Sequence, residues 1–235
     1  MRVLGLIPAR GGSSRLPGKN LARLGETTLV RRALETTLAA ERVDEVVLSS
    51  DSPEILAEAA GLPVLAHERP AALATDTALA YDVALDALAA AEERFGAFDV
   101  LALIQCTTPF TTAEDLDAAL ELLIAHPEEP SVVTIAQAPD LAHPVKLKRL
   151  EGERLVPFLT DDALTPSHEL PQLWVRNGAL YASRIAFLRE GRLVSAEPLG
   201  HPMPAERSID VNTPLDLAFC EFLLQRSPKM ESGRA

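Results

Sequence analysis

Uninterrupted apolar runs and stretches of helical periodicity alternate along this chain. Residues 3–7 (Val-Leu-Gly-Leu-Ile) are apolar throughout and end at Pro8, the pattern of a strand buried on both faces. Residues 28–40 carry apolar positions at Leu29, Ala33, Leu34 and Leu38, the spacing of a helix. A second strand is predicted over 43–49, followed by a helix to residue 60 with Ser52 as N-cap and Pro53 at its first position. The same reasoning predicts a short strand over 63–66, a long Ala-rich helix over 75–95, a buried strand over 100–105, a helix over 112–125 and a strand over 131–137.

Strand–helix alternation of this kind implies an α/β fold with a right-handed, mostly parallel sheet flanked by helices. The alternation stops over 138–173, where two short strands, 145–150 and 154–158, flank Glu151-Gly152-Glu153 as a hairpin. This segment reads as a small β lobe inserted into the main domain. A strand over 177–183, a proline-containing loop over 197–207 and a helix over 213–225, capped by Thr213 with Pro214 next, complete the pattern. The organisation expected is one domain over 1–226 and a polar tail over 227–235.

Composition narrows the function. The chain has 235 residues and a formal net charge of −12, which leaves no basic face for a long polyanion and argues against nucleic acid. Positive charge is nevertheless concentrated locally: the first 23 residues contain Arg2, Arg10, Arg15, Lys19 and Arg23 and no acid. The 2 cysteines, Cys106 and Cys220, do not make a disulfide scaffold. No apolar run approaches the ~20 residues that cross a bilayer. The expectation is a cytoplasmic protein without a membrane partner.

In parallel α/β sheets, ligands bind beyond the carboxyl ends of the strands. Those ends here carry Pro8-Ala9-Arg10, Ser50-Asp51 and Gln105-Cys106-Thr107-Thr108. The densest signal is the loop Arg10-Gly11-Gly12-Ser13-Ser14-Arg15-Leu16-Pro17-Gly18-Lys19-Asn20. Its glycines let backbone N–H groups face an anion, and Arg10, Arg15 and Lys19 supply the opposite charge, a combination suited to a triphosphate. It is not a P-loop, which needs four residues between its first Gly and the Gly-Lys pair and a Ser or Thr after the lysine. Here five residues separate Gly12 from Gly18, and Asn20 follows Lys19.

This loop resembles the signature of the acylneuraminate cytidylyltransferases, the CMP-sialic acid synthetases. The resemblance continues in order to about residue 220, through Ser49-Ser50-Asp51-Ser52-Pro53, Arg69-Pro70 with Leu73-Ala74-Thr75-Asp76-Thr77, and Leu103-Ile104-Gln105-Cys106-Thr107-Thr108-Pro109. It ends with Asn177-Gly178-Ala179-Leu180-Tyr181 and Ser208-Ile209-Asp210-Val211-Asn212-Thr213-Pro214. It implies a Rossmann-like nucleotidyltransferase fold that transfers CMP from CTP to a nine-carbon acidic sugar and releases pyrophosphate. It further implies that Ala9, Arg10, Gly11, Gly12, Ser13, Arg15, Lys19 and Asn20 surround the nucleotide. Arg69, Asp76 and Thr77 would lie on the cytosine side, although Asp76 also suits the acidic start of a helix. Gln105, Lys146, Arg176 and Asn177 would face the sugar, with a surface position for Lys146 and His143 equally open. Asp210 and Asn212 would hold Mg²⁺ or Mn²⁺, and Lys19, Arg10 and Asp210 would carry catalysis. The lobe would form a homodimer and reach toward the neighbour's sugar pocket.

Three departures from the family pattern stand out. Ser14 occupies a position that is usually basic. Asn212 replaces a second Asp, keeping an oxygen ligand and losing its charge. Ser167-His168-Glu169-Leu170-Pro171 lacks an arginine before Leu-Pro, and Val175 takes the place of another before Asn177. Since a bidentate Arg–carboxylate contact is not replaced by Ser or Val, these changes bear on the sugar more than on the nucleotide. Other acceptors or nucleotides on the same fold, such as an eight-carbon acid, and a catalytically weak binding subunit are the competing readings. Cys106, in place of a family Pro, reads as a small packed residue, and Trp174 as core or interface packing.

Overall fold

The computed structural model describes residues 1–13, 15–159 and 166–226. Among the described residues there are eleven strands: β1 Val3–Pro8, β2 Arg23–Leu24, β3 Thr27–Thr28, β4 Glu45–Ser50, β5 Leu65–Glu68, β6 Val100–Ile104, β7 Ser131–Gln137, β8 Lys148–Glu151, β9 Arg154–Pro157, β10 Trp174–Arg184 and β11 Leu199–Pro202. Six helices accompany them: α1 Leu29–Ala39, α2 Pro53–Leu56, α3 Ala80–Phe95, α4 Ala113–Ala125, α5 Ile185–Leu188 and α6 Pro214–Arg226. Seven strands form one sheet in the order β11-β7-β10-β6-β1-β4-β5. β10 is antiparallel to both of its neighbours, and the other pairings are parallel.

Side chains of β1 alternate between the two faces of the sheet, as a pleated strand requires. Val3 and Ile7 join an apolar layer with α1, α2 and α4, while Leu4 and Leu6 pack against α3 and α5. Gly5 lies where α1 crosses the strand: a Cβ there would stand 2.7 Å from Cγ2 of Thr37. A smaller cluster, with Leu24, Leu29, Phe110, Val211, Cys220 and Leu224, holds α6 against the β2–β3 hairpin.

The antiparallel β10 decides how the site is built. Because it runs opposite to β6, its N-terminal half arrives at the edge where β6 ends, and Gln105 N donates to Ala179 O at 3.2 Å. The register between β10 and β7 shifts between Arg176 and Tyr181. Gly178, at φ +84°, sits inside this bulge, and Thr134 Oγ1 accepts from Leu180 N at 2.9 Å.

Several elements differ from the pattern reading. The helix expected to residue 60 ends at Leu56 and passes into a 3₁₀ turn, and the hairpin strand expected from residue 145 begins at Lys148, after a 3₁₀ turn over Pro144–Lys146. The predicted helix over 75–95 begins only at Ala80, because 71–73 forms a 3₁₀ turn and Asp76 pairs with Arg10 across the cleft. The expected loop over 197–207 contains β11, a short edge strand in which Pro202 is tolerated because an edge position leaves its missing N–H unneeded. β10 starts three residues earlier than predicted, as β7 extends it through Trp174↔Gln137. The two-residue strands β2 and β3 carry too little periodicity to be read. The tail over 227–235 lies outside the described residues. The hairpin appears as β8 and β9, a separate two-stranded sheet.

Arg184, at the end of β10, closes the C-terminus of α4. Its guanidinium donates to Leu123 O at 2.8 Å, His126 O at 3.1 Å and Glu129 O at 2.9 Å, tying the last turn of α4 to the turn that follows it and placing a cation at the helix C-terminus. Arg184→Ala is expected to destabilise the fold by about 2–3 kcal/mol, since charged hydrogen bonds to partly buried acceptors are lost. Urea unfolding checks this as a lower midpoint at unchanged slope.

Candidate active site

Past Pro8, the Gly-rich loop is tied to the carboxyl end of β4. Ala9 N donates to Ser49 O at 3.0 Å and Gly11 N to Asp51 Oδ1 at 2.9 Å. A Cβ on Gly11 would stand 3.0 Å from Ser52 Cβ, so the close approach of the two segments needs glycine there. Asn20, only 8% exposed, works from beneath: Nδ2 donates to Arg10 O at 2.9 Å, and Oδ1 accepts from Cys106 Sγ at 3.1 Å. Asn20 therefore fixes the loop against the end of β6.

A cleft of about 320 Å³ opens at this edge between the loop, the segment 69–80 and the residues after β6. Of the residues singled out from the sequence, Arg10, Lys19, Asn20, Arg69, Asp76 and Gln105 line it. Arg10 Nη2 pairs with Asp76 Oδ1 at 2.5 Å across the mouth, and the Asp76 side chain is 72% exposed. Such an exposed pair contributes little to stability, so an incoming phosphate can exchange with the carboxylate. Burial pulls the Lys19 ammonium below its ordinary pKa, Asp210 opposes this, and Arg15 and Arg10 add to the lowering. A partly desolvated cation beside two arginines is a strong attractor for an anion.

Arg69 is buried, and burial lowers its pKa against the raising effect of Asp51 and Asp86. It donates to Ser49 Oγ at 3.2 Å, Ser49 O at 2.7 Å and Leu73 O at 3.5 Å, joining β4 to the turn that shapes the cleft wall.

The segment before α6 does not line the cleft but meets it at Lys19 and Thr107. Val211 N donates to Thr107 O at 2.8 Å, which sets Asp210 beside the end of β6. Asn212 Nδ2 donates to Asp210 Oδ2 at 2.6 Å, and Asn212 Oδ1 accepts from Lys19 Nζ at 3.3 Å. No group of three or more His, Cys, Asp or Glu able to hold a metal occurs among the described residues. Asp210 is exposed, whereas the Asn212 oxygen is engaged by Lys19. This donor set does not make a protein cage. It fits a hard cation that keeps water and takes further oxygens from a bound phosphate.

The remaining candidates are dispersed. Gln105 Oε1 accepts from Thr107 Oγ1 at 3.4 Å. Asn177 is 7% exposed, and its amide serves Ser208 Oγ, Met203 Sδ and Ala179 N, a scaffold position under the cleft. Arg176 is exposed on β10 and does not line the cleft; burial raises the Tyr181 pKa, the Arg176 charge opposes this and Asp210 adds to it. Gly11, Gly12, Ser13, Arg15 and Thr77 lie beside the cleft without lining it, and Ser14 falls outside the described residues. Lys146 belongs to a 3₁₀ turn in the lobe, and His143 lines a separate cavity of about 190 Å³. Asp51 and Tyr181 were not singled out as site residues in the sequence. Asp51 was legible as the polar stop after β4, Tyr181 only as part of the Asn-Gly-Ala-Leu-Tyr run.

Cys106 and Cys220 are buried, and burial pushes each thiol up to about 12. Both stay protonated at pH 8, so a maleimide is expected to label neither in the native protein and both in urea, as mass spectrometry reads directly.

Comparison with known proteins identifies the family. A cytidylyltransferase family model matches residues 4–164. The CMP-N,N'-diacetyllegionaminic acid synthase of Legionella pneumophila is 31% identical over 232 residues, covering 96% of this chain and 97% of that protein. The pseudaminic acid cytidylyltransferase of Campylobacter jejuni is 26% identical and covers 95% of this chain and 96% of its own length. The N-acylneuraminate cytidylyltransferase of Escherichia coli is 24% identical over 98% of this chain, which spans 54% of that longer protein. Among solved structures, a CMP:2-keto-3-deoxy-manno-octonic acid synthetase complexed with CTP superposes with a TM-score of 0.70 at 19% identity, over 96% of this chain and 99% of that one, a likeness of fold. With a family model matched over most of its length and a relative above 30% identity along nearly all of it, this chain belongs to the cytidylyltransferase family, in its acylneuraminate branch.

Proposed function

We propose that this protein transfers CMP from CTP to the anomeric hydroxyl of a nonulosonic acid of the sialic, legionaminic or pseudaminic type, releasing pyrophosphate. The observation that carries the reading is the cleft itself, in which Arg10 and Lys19 stand opposite Gln105 and Lys19 reaches Asp210 through Asn212. Arg10 exchanges Asp76 for a phosphate oxygen, and Lys19 takes the charge that builds on the departing pyrophosphate. Gln105 orients the sugar, so that its anomeric oxygen bonds to the α-phosphorus as the bond to pyrophosphate breaks and the hydroxyl proton passes to solvent. No protein nucleophile is needed, and the buried, protonated Cys106 is unsuited to the role. Asp210, with Asn212, would hold a divalent cation, Mg²⁺ or Mn²⁺, whose charge would offset that of the α-phosphate. A cytoplasmic location belongs to the same reading, in keeping with two buried thiols.

The lobe supports a homodimer as part of this proposal. Leu150 and Leu155, paired across the β8–β9 hairpin, are 70% and 71% exposed, and Phe158, Trp174 and Val175 are exposed as well. A two-stranded hairpin is marginal alone, and a symmetric partner covers both copies at once.

A pyrophosphate-release assay over CTP, UTP and GTP, each with nine-carbon and eight-carbon acidic sugars, is expected to give turnover with CTP and a nine-carbon acid. Turnover with another pair alone overturns the reading. Lys19→Ala is expected to cost ~2–4 kcal/mol of transition-state stabilisation, by the scale of other lost electrostatic donors. Asp210→Ala should abolish cation-dependent turnover, and Asn212→Asp should be tolerated or lower the cation requirement, as a cation titration reads. Light scattering should return a dimer mass, and Leu150→Glu with Leu155→Glu should give a monomer that binds CTP and transfers poorly.

A further inference from the structure

The segment that carries Asp210 runs from β11 to α6, and one side chain leaves it to grip a distant helix. Arg207 Nε donates to Asp115 Oδ2 at 2.9 Å, and Nη2 donates to Asp115 Oδ1 at 2.8 Å. Asp115 is 4% exposed and sits in the first turn of α4. Its Oδ2 also accepts from Thr112 N and Thr112 Oγ1, both at 3.1 Å, which closes the capping box of that helix. α4 follows directly on the residues after β6, which begin with Gln105. One carboxylate thus holds the start of the helix next to the Gln105 side and, through Arg207, the Asp210 side.

The helix cap alone does not call for this arginine. α6 begins with the same device: Thr213 N and Oγ1 donate to Asp216 Oδ2 at 2.7 and 2.9 Å, and Asp216 N donates back to Thr213 Oγ1 at 3.3 Å. The side-chain partners of Asp216 lie within its own loop, at Asn212 and Thr213, with no guanidinium among them. The Arg207 contact is additional, and its two parallel bonds resist rotation as well as displacement. The neighbouring anchors are of a weaker kind. Ser208 Oγ accepts from Asn177 Nδ2 at 2.9 Å, and Val211 N donates to Thr107 O at 2.8 Å.

We infer that Arg207 is a positioning residue for the transfer: by clamping Asp115 it fixes the Asp210 segment relative to the Gln105 end of β6. This rests on the function proposed above. Arg207 does not line the cleft, and the cations facing the nucleotide, Arg10 and Lys19, stand on another segment. Loss of the clamp therefore leaves CTP binding in place and misaligns the two sides of the reaction, where a shift of ~1 Å costs on the order of 10²-fold.

The test uses the full chain with Arg207→Met, Arg207→Lys, Asp115→Asn and the double variant Arg207→Met/Asp115→Asn. Steady-state kinetics should show kcat for Arg207→Met lowered roughly 30–100-fold with KM for CTP within about twofold. Arg207→Lys should recover part of kcat, and the double variant should be no slower than the worse single variant, since the pair acts as one unit. Calorimetric CTP binding should match the unsubstituted protein, and amide exchange over 209–212 should be faster. An Arg207→Met protein with unchanged kcat overturns the inference, as does one in which only the KM values rise. If Arg207→Met does not fold, Arg207→Lys decides: an unchanged kcat and unchanged exchange overturn it. Absence of transfer by the unsubstituted protein defeats the proposed function instead, which separates the two failures.

Discussion

Carbonyl and carboxylate oxygens at the carboxyl end of β4 hold together the segments that form the cleft. Ser49 O accepts from Ala9 N and from Arg69 Nη2, Ser50 O accepts from Arg69 N, and Asp51 Oδ1 accepts from Gly11 N. A loop that must turn its N–H groups toward an anion cannot satisfy them within itself, and its shape has to be imposed from outside. β4 imposes it. The buried Arg69 makes the same strand end responsible for the opposite wall, because its guanidinium also reaches Leu73 O. Loop and wall thus share one foundation, and the cleft between them has a defined width before any ligand enters.

Charge is distributed on the same plan. A chain of net charge −12 would repel a triphosphate if its charges were spread evenly. Here Arg10, Arg15 and Lys19 gather on one loop, and the acids near them, Asp51, Asp76 and Asp210, each have a local task. Asp51 holds a backbone N–H, Asp76 keeps Arg10 paired across the mouth, and Asp210 steadies Lys19 from the opposite segment. Asn212 between Lys19 and Asp210 links the two sides without adding negative charge.

The antiparallel β10 supplies what a purely parallel sheet lacks. Its N-terminal half meets the carboxyl ends of the parallel strands, so that Arg176 and the bulge at Gly178 come to the ligand edge alongside Gln105. The lobe between β7 and β10 is the connection that lets the strand reverse. Its exposed Leu150 and Leu155 follow from the same topology, because a hairpin projecting from the sheet has no core of its own beneath it.

Much of this was determined by sequence alone, and the reason is local. The apolar runs at Val3–Pro8 and Val100–Ile104 have one stable use in an α/β chain, burial on both faces. The caps at Ser52 and Thr213 mark helix starts through contacts within three residues. The Gly-rich loop announces its chemistry because glycines and cations follow one another in the chain. Tertiary structure decided whatever depends on residues distant in sequence. The start of α3 moved to Ala80, where local pattern had favoured residue 75, because segment 71–79 answers to Arg69 and Arg10. Asn20 and Asn177, polar residues in conspicuous motifs, turned inward as scaffold because their amides found partners in other segments. The Arg207–Asp115 clamp joins residues 92 positions apart, a pairing that periodicity does not encode and that only the packing of α4 against β7 and β11 brings about.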